Sequence, residues 1–570
     1  MGATMTNRRP DGNGVWASGP LALSFRRLKI IDLSEQGSQP MVDSELGLTI
    51  TFNGCIYNYP ELREMLEKKG YRFFSSSDTE VLLKAYHHWG ENFVDRLKGM
   101  FAFCIAEHAT KLVILGRDRL GIKPLYISES KGVLRFASAL PALLAGGGVD
   151  TSIDSVALHH YLTWHSVVPA PYTILKGVRK LAPGTLLIAE PDGSRREFAY
   201  WSASFSRNPM REGMSARDWE DTVLEALRMA VERRMVADVP VGVLLSGGVD
   251  SSIIVGLLAE MGQPDLKTFS IGFESVGEAE GDEFEFSDII AEHYGTDHHK
   301  FRVSNDRMLP ALEGAIRAMS EPMVSHDVVA FYLLSQEVAR HIKVVQSGQG
   351  ADEVFAGYDW YPPMGHANGN GLDTYEAEFF DRSHAALAGM LNPEYRAEKD
   401  VSRAFVAEHF GSPGADTPLD RALRLDTEVM LVDDPVKRVD NMTMAWGLEA
   451  RVPFLDHELV ELAAACPPEL KLARGGKGVL KEAARRVIPD EVIDREKGYF
   501  PVPALKHLEG DYLGLVKEAL HAPAAKERGI FREEYVERLL EEPNSYYGRL
   551  GVNDLWQIGL LELWLQARYI

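Results

Sequence analysis

The run Val241-Gly-Val-Leu-Leu-Ser246-Gly247-Gly248-Val249-Asp250-Ser251-Ser252 passes from an apolar strand through a two-glycine turn straight into a helical pattern. A strand that turns this tightly into a helix builds an anion site. The glycines let backbone N–H groups approach a phosphate closely, and the helix N-terminus adds its partial positive charge. Ser246 and Ser251 add hydroxyl donors. No Lys closes the turn, so it is not the G-x-x-x-x-G-K-S/T loop. Asp250 would repel phosphate unless a cation stands between them, and Mg²⁺ suits a site of carboxylate plus phosphate oxygens. Taken alone, the segment also reads as an ordinary strand–turn–helix joint with Asp250 as the helix N-cap.

A second segment, Val344-Val-Gln-Ser347-Gly348-Gln349-Gly350-Ala351-Asp352-Glu353, again follows a strand. In a parallel sheet the loops at the C-terminal strand ends converge on one crevice, so Asp352 is expected to supply a second carboxylate for the metal. The surrounding pattern agrees. Buried-type strands at Val241 to Leu245, Leu266 to Gly272 and Ile342 to Gln346 alternate with helical patterns such as Ala216 to Met235 and Ser251 to Met261, and the chain is nearly all helical from about residue 365. The first 200 residues instead carry short β-rich runs (Leu48 to Phe52, Phe101 to Ala106, Lys111 to Leu115, Leu134 to Ala137, Thr185 to Ala189) and few helices, Pro60 to Lys69 and Thr79 to Trp89 among them. The polar stretch Ser204 to Ala216 reads as a linker. The expected organisation is therefore α+β over residues 1–203 and α/β, with a helical extension, over 204–570.

Together, SGGVDSS and SGQGADEVFAGY resemble the ATP-pyrophosphatase loop pair of the asparagine synthetase family. Met444-Ala-Trp-Gly-Leu-Glu-Ala-Arg451-Val-Pro-Phe-Leu-Asp456, Lys481-Glu-Ala-Ala-Arg485 and Arg495-Glu-Lys497-Gly-Tyr-Phe are similar to further segments of that family, in its order. The resemblance implies ATP-dependent amide formation through an acyl-adenylate. It implies that Ser246, Gly247, Gly248 and Ser251 hold the pyrophosphate end of ATP, that Leu245, Ile271, Ser347 and Gly348 lie around the nucleotide, and that Asp250 and Asp352 hold Mg²⁺. Lys481 matches the family's catalytic lysine, and Lys497 is a second candidate for meeting the developing charge; a solvated helix face is the alternative for either. One departure stands out: the family's second loop commonly reads SGEGxDE, whereas this chain has Gln349, which carries no charge and cannot act as a base.

The N-terminal segment resembles a class II glutamine amidotransferase domain, an Ntn-type sandwich of two antiparallel sheets between helices. The likeness is carried by Pro10-Asp-Gly-Asn-Gly, Phe25-Arg-Arg27-Leu-Lys-Ile30-Ile-Asp32, Phe52-Asn53-Gly54-Cys55-Ile-Tyr-Asn58, Ser77-Asp78-Thr79-Glu80 and Arg117-Asp118-Arg-Leu-Gly121-Ile-Lys-Pro124-Leu-Tyr126. It implies a glutamine site of Arg27, Ile30, Asn53, Gly54 and Asp78, with Arg27 on the carboxylate, Asp78 on the α-amino group, and Asn53 with the Gly54 N–H as the oxyanion hole. The family's nucleophile is an N-terminal Cys well upstream of the R-G-P-D-G turn. Here that turn begins near residue 8 and residue 2 is Gly, so a misassigned start is expected. Cys55 shares a strand face with Asn53 by alternation, but a free Cys is more often a buried small hydrophobe, as Cys104 and Cys466 also read.

The segment Pro435 to Arg451, taken with GQGADEVFAGY, resembles most the N-acetylglutaminylglutamine amidotransferase branch, which implies that dipeptide as acceptor. Aspartate is the alternative acceptor, and an ammonia-only adenylating ligase the alternative enzyme; a non-catalytic binding protein would not need Asp250, Asp352 and Lys481 together. Expected partners are thus glutamine, ATP and a carboxylate acceptor, with a homodimer as the candidate assembly. Charge narrows the rest. Against 83 Asp and Glu stand 61 Lys and Arg, a net −22, which offers no footprint for nucleic acid or an anionic membrane surface. Three scattered cysteines, no long apolar run and no apolar leader core fit a cytoplasmic protein.

Overall fold

The computed structural model describes residues 1–274, 284–495, 498 and 507–570. The N-terminal half contains β1 (Gly12–Ser18), β2 (Leu21–Arg27), β3 (Met41–Asp43), β4 (Leu48–Ile56), β5 (Gly99–Glu107), β6 (Val113–Arg117), β7 (Tyr126–Ser130), β8 (Val133–Ala137), β9 (Arg179–Lys180), β10 (Thr185–Ala189) and β11 (Arg195–Ala199). Six of these form an antiparallel sheet in the order β11-β10-β6-β5-β4-β3; β8-β7-β9 form a second sheet and β1-β2 a hairpin.

Alternation along β5 shows why the layers stack. Phe101, Phe103 and Ile105 face the helices Tyr59–Glu67 and Asp78–Trp89, while Ala102 and Cys104 face Leu23 of β2 and Ile127 of β7. One strand therefore serves two cores, as the period of two requires. The helix Leu140–Ala145 covers the outer side of the second sheet, with Leu140 and Leu143 in one cluster with Tyr126 and Ala137, so the two sheets lie between helices as expected. Cys104 and Cys466 are buried, Cys466 at the end of the helix His457–Ala465.

The C-terminal half holds a five-stranded parallel sheet in the order β14-β13-β12-β15-β16, made of β12 (Val241–Leu244), β13 (Lys267–Phe273), β14 (Asp297–Val303), β15 (Val344–Gln346) and β16 (Glu449–Arg451). The three central strands are those the apolar runs predict. The two edge strands are not. β14 reads Asp-His-His-Lys-Phe-Arg-Val with most of its side chains at least partly exposed, and β16 is three residues long with charged residues at both ends. Edge position explains β14, one side of which needs no apolar cover; the charges of β16 are buried and are carried by pairing, Arg451 with Glu449 and with the carbonyls of Arg234 and Val236. Beyond residue 365 the described chain is nearly all helical, as expected, with β16 as its one strand.

Ser204 to Ala216 is tied down rather than loose. Arg207 donates to the carbonyls of Ala464 (3.1 Å) and Cys466 (3.0 Å) and pairs with Asp420. Ser215 then caps the helix Ala216–Arg233 in a box with Asp218.

The two halves share a core. Tyr126, Leu158 and Tyr161 pack in the same cluster as Met308, Leu312 and the C-terminal helix Asp554–Gln566. Tyr161 and Gln557 bond reciprocally, hydroxyl to carbonyl at 2.9 Å and amide to carbonyl at 2.8 Å. Cations of the first half meet buried carboxylates of the second: buried Lys180 with Asp433 (2.5 Å) and Glu321 (3.3 Å), and buried Lys123 and part-exposed Arg8 with Asp440 (3.2 and 2.7 Å). Such pairs add little net stability but penalise any other docking of the halves, which would strand a buried charge. Among the described residues, no helix is long and apolar enough to cross a membrane.

Candidate active site

β12 and β15 are parallel neighbours, with Val243 opposite Gln346, so the loops that follow them leave the same sheet edge side by side. In the first loop Gly247 has φ +73°, and a Cβ there would lie 2.7 Å from the Ser287 nitrogen, so only glycine fits. Ser251 Oγ accepts from the Ser246 N–H (3.1 Å), closing the turn. The helix Val249–Glu260 has Gly248 as N-cap with no side-chain cap, which leaves its first N–H groups for a ligand. Asp250 is therefore not the cap: it is the second helical residue and its carboxylate faces a cavity.

In the second loop the Ser347 N–H donates to the Arg451 carbonyl (2.9 Å), and Gly350, with φ +95°, starts the short helix Ala351–Phe355 that carries Asp352. Gly348 lies against Asp250; a Cβ there would meet the Asp250 Cβ at 2.9 Å.

Between the loops lies a cavity of about 330 Å³. Leu245, Ser246, Gly248, Asp250, Ser251, Ile271, Ser347, Gly348, Asp352 and Lys481 all line it. Gly247 does not line it, and its part is to make the turn. Lys497 lies outside the described residues. Gln349 is half-buried on the wall, and among the described residues no group hydrogen-bonds its amide.

Lys477 is the residue that sequence reasoning missed. Its Nζ sits 2.8 and 3.0 Å from the Asp250 carboxylate oxygens and 2.9 Å from Asp352 Oδ1. Burial pulls its pKa down, but Asp250 and Asp352 outweigh this, and the net shift is upward, so the ammonium stays charged. Lys477 holds φ +57° after Gly475 and Gly476 and caps the helix Gly478–Ala484. The signal was in the sequence: a lysine embedded in Arg-Gly-Gly-Lys-Gly, a glycine approach of the kind seen in the two loops. Lys481 is one turn further on, and its Nζ donates to the Arg474 carbonyl at 2.9 Å. Arg438 also lines the cavity and pairs with Asp434 at 3.3 Å.

The donor set fits a hard divalent cation that arrives with phosphate. One ammonium already holds the two carboxylates together, and among the described residues no group of three or more His, Cys, Asp or Glu side chains assembles that could hold a metal without outside ligands. The remaining positions would fall to phosphate oxygens and water, the preference of Mg²⁺.

In the N-terminal half, Arg27, Ile30, Gly54 and Asp78 come together around a small pocket of about 40 Å³. The Arg27 guanidinium is engaged by the carbonyls of Ser34 (2.6 Å) and Asp32. Asp78 Oδ2 accepts from the Ile56 N–H (3.1 Å), and burial pushes its carboxyl up to about 6. Asn53 is not brought to this pocket. It lines a neighbouring cavity of about 320 Å³, accepts from Arg9, and donates to Ser138 Oγ (3.2 Å). Cys55 lines the small pocket, so it and Asn53 face different cavities. Burial pushes the Cys55 thiol well up, and the charged group that meets it, Arg451 at 3.5 Å, is no base. The thiol reads as packing.

The site can be set beside known proteins. The family model described as asparagine synthase matches residues 222–566, and one described as glutamine amidotransferase domain matches residues 1–201. The chain is similar to glutamine-hydrolysing asparagine synthetase 1 of Bacillus subtilis, 32% identical over 612 residues, covering 100% of this chain and 94% of that protein. It is similar to a putative glutamine-hydrolysing asparagine synthetase of Mycobacterium tuberculosis, 34% identical over 550 residues, covering 88% and 83%. It is also similar to a Penicillium rubens protein named amidase chyE, 27% identical over 571 residues, covering 87% and 83%.

Proposed function

Because this chain belongs to the asparagine synthase family, we propose that it is an ATP-dependent carbon–nitrogen ligase that turns a carboxylate into an amide with glutamine-derived ammonia, releasing AMP and pyrophosphate. The observation that carries this reading is the meeting of two glycine-rich loops and two carboxylates, bridged by Lys477, in one cavity. Residues 1–203 are the glutaminase unit of this reading and 204–570 the synthetase unit.

The chemistry follows from the charge that must be held. A carboxylate oxygen attacks the α-phosphorus of ATP, and the α–β bridging electrons leave with pyrophosphate. Ammonia then attacks the acyl carbon, and AMP departs. The loop N–H groups, Ser246 and Ser251 bind the pyrophosphate end; Leu245, Ile271, Ser347 and Gly348 enclose the nucleotide. Asp250 and Asp352 would hold Mg²⁺, which supplies Lewis-acid neutralisation of the phosphates when bound. Lys477, with Lys481 behind it, meets charge that grows on pyrophosphate, the larger electrostatic demand of the step.

In the glutaminase unit Arg27 takes the glutamine carboxylate and Asp78 its ammonium. Only the ionised Asp78 binds an ammonium, and its carboxyl titrates at about 6. Glutamine affinity is thus expected to be flat above pH 7 and to fall, by about tenfold per pH unit, below pH 6, with Asp78→Asn weak at every pH. Titration calorimetry between pH 5 and 8 checks this; an unchanged affinity at pH 5 would remove Asp78 from the site.

For the acceptor, the likeness of the 435–451 segment supports N-acetylglutaminylglutamine. Gln349 fits an acceptor that presents amides rather than a charge to be neutralised, since its own amide is uncommitted and can donate and accept. The names of the asparagine synthetase relatives favour aspartate. The test is to incubate the full chain with Mg²⁺-ATP and either acceptor, with glutamine or ammonium, and to identify the amide by mass. Amidation of the dipeptide alone supports the first acceptor, and asparagine alone supports the second. Turnover with ammonium but not glutamine would mean an ammonia-only ligase.

A further inference from the structure

We propose that Arg451 is a positioning residue that ties occupancy of the glutamine pocket to the two nucleotide loops. The inference rests on the reading of the small N-terminal pocket as the glutamine site.

Three sets of contacts meet at this residue. First, Arg451 and Glu449 of β16 belong to the synthetase half, yet both line the pocket that holds Arg27, Gly54 and Asp78. The glutamine site of one half is thus closed by the other. Second, the fully buried guanidinium is held from several sides. Nη1 donates to the carbonyls of Arg234 (2.8 Å) and Val236 (2.7 Å), and Nε donates to Glu449 (3.0 Å). Arg234 and Val236 lie on the short segment that leads from the helix Ala216–Arg233 into β12, and β12 ends in the first nucleotide loop. Third, the Arg451 carbonyl accepts the N–H of Ser347, the opening residue of the second loop.

One residue therefore touches the pocket with its side chain, anchors the approach to the first loop with the same guanidinium, and anchors the second loop with its backbone. A planar fork fixed on two carbonyls has little freedom to tilt alone. A ligand that shifts the guanidinium moves the root of the second loop and, through the segment that enters β12, the strand that carries the first; by linkage a nucleotide that orders the loops fixes the pocket floor.

The test uses the full chain and isothermal titration of two ligands, glutamine and α,β-methylene-ATP with Mg²⁺, each measured with and without a saturating amount of the other. Each ligand is expected to tighten the other by the same factor, about fivefold or more. In Arg451→Lys, which keeps the charge but loses the fork, the factor should fall to near one; it is read as the ratio of each ligand's affinity with and without the other, so that any change in basal affinity cancels. If that variant does not fold, Glu449→Gln decides. It removes the charge that Arg451 pairs with while keeping an amide oxygen as a neutral acceptor for Nε, leaves the contacts to Arg234 and Val236, and the factor should drop partway. A wild-type factor in the folded variant, or no mutual effect in wild type with both ligands bound, overturns the proposal. Failure of wild type to bind glutamine while it binds the nucleotide overturns the pocket assignment itself, and the proposal with it.

Discussion

Asp250→Asn is expected to lower pyrophosphate release from Mg²⁺-ATP by about a thousandfold while leaving glutamine binding unchanged. The substitution keeps the shape of the side chain and removes only its charge. Both Asp250 oxygens lie within 3.0 Å of the Lys477 ammonium, and the same carboxylate is half of the proposed Mg²⁺ pair with Asp352. Loss of one preorganised charge at the point where charge moves costs about 3–4 kcal/mol of transition-state stabilisation, which sets the size of the effect. The glutamine pocket draws on Arg27, Ile30, Gly54 and Asp78 and has no contact with Asp250, so its affinity serves as the internal control for folding. Pyrophosphate release near the wild-type rate would remove the carboxylate pair from the reaction.

Lys477→Ala is expected to cut kcat by about a thousandfold with less than a tenfold rise in KM for ATP, and Lys481→Ala to cost less than tenfold in either. Lys477 bridges Asp250 and Asp352, the carboxylates that would hold Mg²⁺, whereas Lys481 donates to the backbone carbonyl of Arg474. Removal of Lys477 also leaves two facing carboxylates with less to hold them together. Steady-state kinetics of the two variants separate the roles. If Lys481→Ala proves the more damaging, the lysine that the motif resemblance singles out is the one that acts, and Lys477 is structural.

Those two lysines also show how far the residues alone could carry the argument. The loops were legible because their chemistry is local: two glycines, a serine and an acid between a strand and a helix can be read without knowing what lies across the sheet. The central strands were legible for the same reason, each an apolar run of its own. Lys477 was not, because its importance comes from two carboxylates more than 100 positions away in sequence, and the glycines around it mark a close backbone approach without saying to what. The edge strands β14 and β16 failed for other causes: β14 lies at an exposed edge that tolerates charge, so no periodicity marked it, and β16 is three residues long with buried charges that pair with groups distant in sequence. Asn53 shows a third limit. Alternation places it on the Cys55 face, yet the strand has Gly54 between them, and the two side chains line separate cavities. The composite character of the glutamine pocket, with Glu449 and Arg451 arriving from nearly 400 residues downstream, is tertiary information throughout.

The central claim is that an acceptor carboxylate attacks the α-phosphorus of ATP in the cavity between the two loops. It is tested most directly with acceptor labelled with ¹⁸O in its carboxylate, incubated with the full chain, Mg²⁺-ATP and ammonium. The account predicts one labelled oxygen in AMP and none in pyrophosphate, in step with amide formation, and no transfer in Asp250→Asn. Label in inorganic phosphate, with ADP as the other product, would mean attack at the γ-phosphorus and would contradict it.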